Sequence, residues 1–385
     1  MSSVVYVHVG TPKSGTTFLQ QVLWSQRALA AEQGVVLPLE HFNNHYWATL
    51  DVRGLAGKEP HPTEAMGAWD RLSSAALADP APRALISHEL FAGASDTQAR
   101  RAMERFGAAE VHLVVTARDL VRQVTAEWQE HVKHRSTSTL SEFVANLRER
   151  AEDRSGWFWR VQDVAGIIDR WGKSVPAERI HIVTLPPSGG PPGLLWERFA
   201  RLLGLEPGSF DTTSQRQNTS LGLAQTELLR QVNLALGDRL PVPGPYPGVA
   251  KDVLAHKILA AQAGLPLQLD DHDVAYAVAT SQLMVAELSE LDVDIVGSLG
   301  ELISVAPTDT EARAEVTTDQ LADSAIAAIA DLLAVMSERE KAGRETKALV
   351  TDLKSHPFRT AVSQAADTRP SLQKAKSTWG KFTGR

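Results

Sequence analysis

Short apolar runs along the chain alternate with longer stretches in which apolar residues recur every three or four positions. The runs Val4–Val9, Ala84–Ser87, Val111–Thr116 and Ile180–Thr184 are largely aliphatic, with many β-branched residues, and have the length of buried strands. Between and after them the helical period predicts helices over Thr16–Leu29, Asp96–Phe106, Leu120–Arg135, Leu140–Arg150, Val161–Trp171, Leu194–Leu203 and Leu221–Leu236. Alternation of this kind predicts an α/β fold of three layers, a central parallel sheet flanked by helices. Pro- and Gly-rich turns fall at Pro186–Pro192 and Pro241–Pro247. Beyond Pro247 strand signals nearly vanish, and helices are expected over Asp252–Gln262, Asp271–Glu290 and Thr318–Lys347. The expected organisation is a core over 1–236, a mainly helical extension packed on it over 237–347, and a flexible tail over 348–385, with no internal repeat.

Composition narrows the chemistry. With 385 residues, 43% apolar and 22% charged, the chain can bury a full core and belongs to no disordered or fibrous class. It has no cysteine, which excludes disulfides, thiolate nucleophiles and iron–sulfur clusters. The net charge of −7 has the wrong sign for a general nucleic-acid binder, so no nucleic-acid partner is expected. The end of the tail departs from this balance: from Lys354 to Arg385, Lys354, Arg359, Arg369, Lys374, Lys376, Lys381 and Arg385 face a single acid, Asp367. Met1-Ser2-Ser3 leads straight into Val4–Val9, without a basic segment or an apolar stretch near membrane length. A cytoplasmic protein with no transmembrane segment is therefore expected, its oligomeric state open.

The candidate chemistry begins where the first strand ends. Gly10-Thr11-Pro12-Lys13-Ser14-Gly15-Thr16-Thr17 precedes a helical run, and a glycine-bearing turn there cradles anions with unpaired N–H groups and the helix dipole. Gly10 and Gly15 have the spacing of the nucleoside-triphosphate P-loop, but Thr16 stands where that loop carries lysine, and Lys13 lies inside the turn. Ser14, Thr16 and Thr17 add hydroxyls.

Thr-Pro-Lys-Ser-Gly-Thr-Thr resembles the 5′-phosphosulfate loop of the sulfotransferase family, whose members have a P-loop-like α/β fold. The resemblance covers roughly residues 4–236 and implies 3′-phosphoadenosine 5′-phosphosulfate, PAPS, as sulfuryl donor, with no metal required. It implies nucleotide contacts from Thr11, Pro12, Lys13, Ser14, Gly15, Thr16 and Thr17. The 3′-phosphate needs a second cation, and Arg118, just past the strand Val111–Thr116, stands where open α/β sheets bind ligands. The family places a serine on the following helix. Here Ala126 holds the commonest spacing, and Thr125 takes the role by expectation. Arg216, Asn218 and Ser220 resemble the late segment that closes over the nucleotide.

Sulfuryl transfer to a hydroxyl or amine needs a base, and charge on the departing phosphate needs a cation. Lys13 suits the second task. Ser87-His88-Glu89, after the strand Ala84–Ser87, offers either His88 or Glu89 for the first, the histidine segment resembling that of cytosolic sulfotransferases. His41, His45, Tyr46 and Trp47 are expected to wall an acceptor pocket for a small molecule, lipid or carbohydrate, an aromatic packing segment being the alternative. The pair His41 and His45 lacks a third ligand for a metal. Trp157-Phe158-Trp159 reads as core packing, with an acceptor-pocket wall as the alternative. Two other classes stay open: an ATP-dependent small-molecule kinase with Glu89 or Asp119 on magnesium, and a non-catalytic nucleotide-binding interaction protein.

Overall fold

The computed structural model describes residues 4–213, 220–304 and 316–355. Six parallel strands form one sheet: β1 Val4–His8, β2 Val35–Val36, β3 Arg83–Ser87, β4 Glu110–Ala117, β5 Ile180–Thr184 and β6 Asp294–Val296, in the order β2-β3-β1-β4-β5-β6. The four predicted strands are thus the inner four. Registers are regular, with Val5 opposite both Ala84 and Val111, and Leu113 opposite Ile180.

Alternation along each strand sends side chains to two separate cores. Val5, Val7, Ile86, Leu113, Val115 and Ile182 join one, with Trp69, Ala99, Ile167, Trp171 and Leu288 from the helices Ala68–Ala78, Asp96–Glu104, Val164–Trp171 and Asp271–Ser289. Tyr6, Leu85, Val114 and Val183 join the other, with Leu19, Leu23 and Phe199 from the helices Thr16–Ser25 and Leu194–Leu202. This is a P-loop-like three-layer α/β fold. The chain goes to β2 and β3 on one side of β1 and to β4, β5 and β6 on the other, so the topological switch lies between β1 and β4. Ligands of such sheets bind outside the carboxyl ends at that point.

Several expectations change. The first helix stops at Ser25, Gln26 leaves helical geometry, and a second runs Arg27–Glu32. The Val161–Trp171 expectation resolves into Gly156–Gln162 and Val164–Trp171, with Asp163 extended between them. Residues Pro247–Ile258 form a wide π-type helix. Beyond residue 236, β6 pairs in parallel with β5, and one compact unit runs from Met1 to Leu321. The second unit, Ala322–Arg385, contains most of the helix Thr318–Ser355. Residues Thr318–Ala342 form a helix long and apolar enough to cross a membrane, by length and composition only. The tail beyond 355 lies outside the described residues.

Candidate functional site

The loop after β1 is polarised by its own hydrogen bonds. Its carbonyls are drawn into the protein: Gly10 O accepts from the Thr116 amide at 2.6 Å and hydroxyl at 2.9 Å, and Thr11 O from the Ser14 hydroxyl at 2.5 Å. Pro12 O accepts from Gln123 at 2.6 Å and Gln162 at 3.1 Å, and Lys13 O from Arg118 Nη1 at 3.2 Å. The amides of Lys13, Ser14, Gly15, Thr16, Thr17 and Phe18 donate to no acceptor among the described residues. Six successive unspent N–H groups at a helix N-terminus form an anion nest. Two glycines permit this path. Gly15 has φ +82° at the N-cap, where a Cβ would collide with Leu195, and a Cβ at Gly10, φ +128°, would stand 3.0 Å from Glu89 O.

Among the candidate loop residues the roles differ. Thr11 is buried with its amide on Thr116 O, and Pro12 has no N–H, so these two shape the turn. Ser14 has an amide with no acceptor among the described residues, while its buried hydroxyl donates to Thr11 O and lies 2.5 Å from the Thr116 hydroxyl. Thr16 and Thr17 begin the helix. Lys13, at φ +63°, sends its ammonium to Glu130 Oε2 at 2.6 Å. Burial works to protonate Glu130. His134 at 3.1 Å, Lys13 and Lys251 at 2.9 Å prevail and hold its carboxyl far below the usual range.

Arg118 follows β4, next to the loop. Burial lowers its pKa to about 10, so it stays cationic at neutral pH, and its Nε is buried without a partner among the described residues. An orphaned guanidinium donor beside an anion nest is what a second anionic group of one ligand would satisfy. Thr125 fares otherwise: its hydroxyl donates to Arg122 O in its own helix at 3.1 Å. Asp119 caps the helix Leu120–Lys133, accepts from Ser304 at 2.5 Å and pairs with Arg122, which leaves a metal little to take. Arg216 and Asn218 lie outside the described residues, and Ser220 is exposed.

On the other flank, β3 delivers His88 and Glu89. The Leu90 amide donates to His88 Nδ1 at 3.2 Å, so the neutral ring carries its proton on Nε2. Burial pushes the His88 pKa down, and the ring is neutral at pH 7 with its one lone pair already engaged. Glu89 retains an available carboxylate. Burial would raise its pKa, but the net shift is downward: His88, 3.7 Å from Oε2 and charged only when protonated, the Glu89 backbone amide and a hydrogen bond from Gln20 at 3.3 Å draw the carboxyl below its usual value, so it is ionised at pH 7.

The acceptor-wall expectation divides. His45 is fully buried, with Nε2 on Pro38 O at 3.2 Å and Nδ1 accepting from the Ser87 amide at 3.1 Å, and burial lowers its pKa to about 4. It is a structural histidine that pins β3, not a wall residue. Trp47 packs on the core. Tyr46 lies against His88 at 5.6 Å between ring centres, and exposed Phe42 lies at 6.2 Å, while His41 faces solvent. Phe158 and Trp159 are buried as expected, whereas Trp157 is 37% exposed.

Two acids escaped notice in the sequence. Gln123, Glu127 and Glu130 share one stripe of the helix Leu120–Lys133 that faces the loop. Glu127 is only 3% exposed, accepts from Gln162 at 3.0 Å, and burial pushes its pKa up to about 7 against the pull of Lys13. Polar residues at i, i+4 and i+7 on a helix behind a phosphate loop were the available signal.

No family model matches this chain, and no curated protein matches it in sequence. A solved structure described as a sulfotransferase from Alicyclobacillus acidocaldarius is similar, with 16% identity and a TM-score of 0.35. The similarity covers 61% of this chain and 93% of that one.

Proposed function

We propose that the chain is a sulfotransferase that takes a sulfuryl group from PAPS and passes it to a hydroxyl or amine. The observation that carries this reading is the joining of Arg118 to the loop. Its guanidinium bonds Lys13 O at 3.2 Å and keeps a buried donor unused, so two anion sites share one edge of the sheet. A nucleotide with phosphate at the 3′ position and phosphosulfate at the 5′ position has anionic groups for both.

When bound, the donor supplies an activated sulfuryl group on a phosphate leaving group. The amides of Lys13 to Phe18 hold the 5′ end, and Arg118 receives the ribose phosphate. Lys13 exchanges Glu130 for the phosphate oxygens, where its charge offsets what develops as the bond to sulfur breaks. Glu89, just past the end of β3 beside the loop strand, accepts the acceptor's proton, and the Nε2–H of His88 donates toward the acceptor oxygen. The order β3-β1-β4 sets base, loop and arginine side by side.

Calorimetry tests the reading. Adenosine 3′,5′-bisphosphate is expected to bind without magnesium and at least tenfold more tightly than ATP. Magnesium-dependent binding of ATP with no affinity for the bisphosphate would reverse the conclusion in favour of a kinase.

A further inference from the structure

Beyond the nucleotide site, one cation near the carboxyl edge has no acid to neutralise it among the described residues. Arg53 ends the helix Asn43–Val52, and its own carbonyl is fixed by Gln98 Nε2 at 2.9 Å, from the capping box of the helix Asp96–Glu104. Its guanidinium lies over the exposed Trp157 ring, 4.8 Å from the centre. It makes no ion pair and no side-chain hydrogen bond among the described residues. Gly93 closes the arrangement from below: a Cβ there would stand 2.8 Å from the Trp157 ring and 3.2 Å from Arg53 Nε. The guanidinium is half-buried, and burial together with the like charge of Arg160 lowers its pKa. A chain that buries an arginine this far usually supplies a carboxylate. Here it supplies an aromatic platform and leaves the donors free.

The surroundings connect this cation to the proposed chemistry. Gly93 ends the short helix Glu89–Gly93 that begins at the proposed base. Tyr46, on the helix that Arg53 terminates, packs on His88, and exposed Phe42 reaches the same ring. Aromatic rings, a free guanidinium and the base thus occupy consecutive positions on one flank of the loop.

We propose that Arg53, seated on Trp157, binds an anionic group of the acceptor, so that the substrate class is a hydroxyl or amine compound that also carries a carboxylate, phosphate or sulfate. This rests on the sulfotransferase reading for its chemistry. The anion sits on the planar donors of Arg53, the body of the molecule lies along Tyr46 and Phe42, and the nucleophile points to Glu89. A planar guanidinium held over an aromatic ring favours such groups over neutral ones.

Three matched probes test this: 4-hydroxyphenylacetate, its amide and tyramine, titrated by tryptophan fluorescence with and without saturating adenosine 3′,5′-bisphosphate. The anionic probe is expected to bind about tenfold more tightly than the amide. Arg53→Met should erase the difference, Arg53→Lys should keep part of it, and the affinity for the bisphosphate should stay unchanged in both. Equal binding of the three probes, no binding of the anion up to millimolar concentration, or a preference that survives in Arg53→Met would each overturn the proposal. Failure of the bisphosphate to bind wild-type protein would count against the donor reading alone, since the probe preference is also read without nucleotide.

Discussion

The two ends of the same sheet treat polar groups in opposite ways. Toward the amino ends of the strands, Glu110, His112, His181 and Asp294 form an unbroken chain across β4, β5 and β6. His112 bonds Glu110 at 3.1 Å and His181 at 2.7 Å, the two rings stack within 2° of parallel, and His181 bonds Asp294 at 2.7 Å. Every ring nitrogen there has a partner, and the group ties the edge strand to the sheet. At the carboxyl ends, six amides, an Arg118 donor and the Arg53 guanidinium have none among the described residues. A fold that satisfies its polar groups at one end can do so at the other. Donors left open together, with carbonyls withdrawn, mark the end where an anionic ligand completes the set.

Variants at the two ends should therefore fail differently. The largest effect is expected from Glu89→Gln, which should lower kcat by roughly 10²- to 10⁴-fold while leaving the bisphosphate affinity within about twofold. An unchanged rate would return the role of base to His88. At the closed end, His181→Ala should leave nucleotide binding intact and cost about 1–3 kcal/mol in chemical denaturation, by stranding Asp294 and His112. Any loss of affinity there would erase the contrast.

Glu127 supplies a pH signature. Its pKa is near 7 in the folded chain and lower when unfolded, so the native state holds a proton that the unfolded chain releases. Its favourable contribution is full below the unfolded value, falls as pH rises, and is gone above about 7. Glu127→Gln should accordingly raise stability at pH 8 by about 1–3 kcal/mol and flatten the slope between pH 5 and 8, as read by denaturation at several pH values. The smallest effect belongs to Glu130→Gln. By releasing Lys13 it should tighten bisphosphate binding about threefold, with the gain shrinking at high salt.

The sequence disclosed features whose cause is local. The loop was legible because a buried strand, two glycines at fixed spacing and a helix start follow one another directly, and Arg118 because it ends a strong interior strand. β2 and β6 were not, being two and three residues long and held by pairing with distant segments. His45 looked like a pocket residue because nothing in a sequence separates an exposed histidine from one with both nitrogens spent on backbone groups. Arg53 gave no signal, and Trp157 only an aromatic run open to packing or a pocket wall, since their encounter depends on how the helices Asn43–Val52 and Gly156–Gln162 meet around Gly93.

The central claim is that one nucleotide phosphorylated at both ends spans Lys13 and Arg118. The measurement that reaches it most directly is a calorimetric comparison of wild type and Arg118→Ala with adenosine 3′,5′-bisphosphate and with adenosine 5′-monophosphate. The account predicts a loss of roughly 30-fold, about 2 kcal/mol, for the bisphosphate and less than about threefold for the monophosphate. Equal losses for the two ligands, or none, would contradict it.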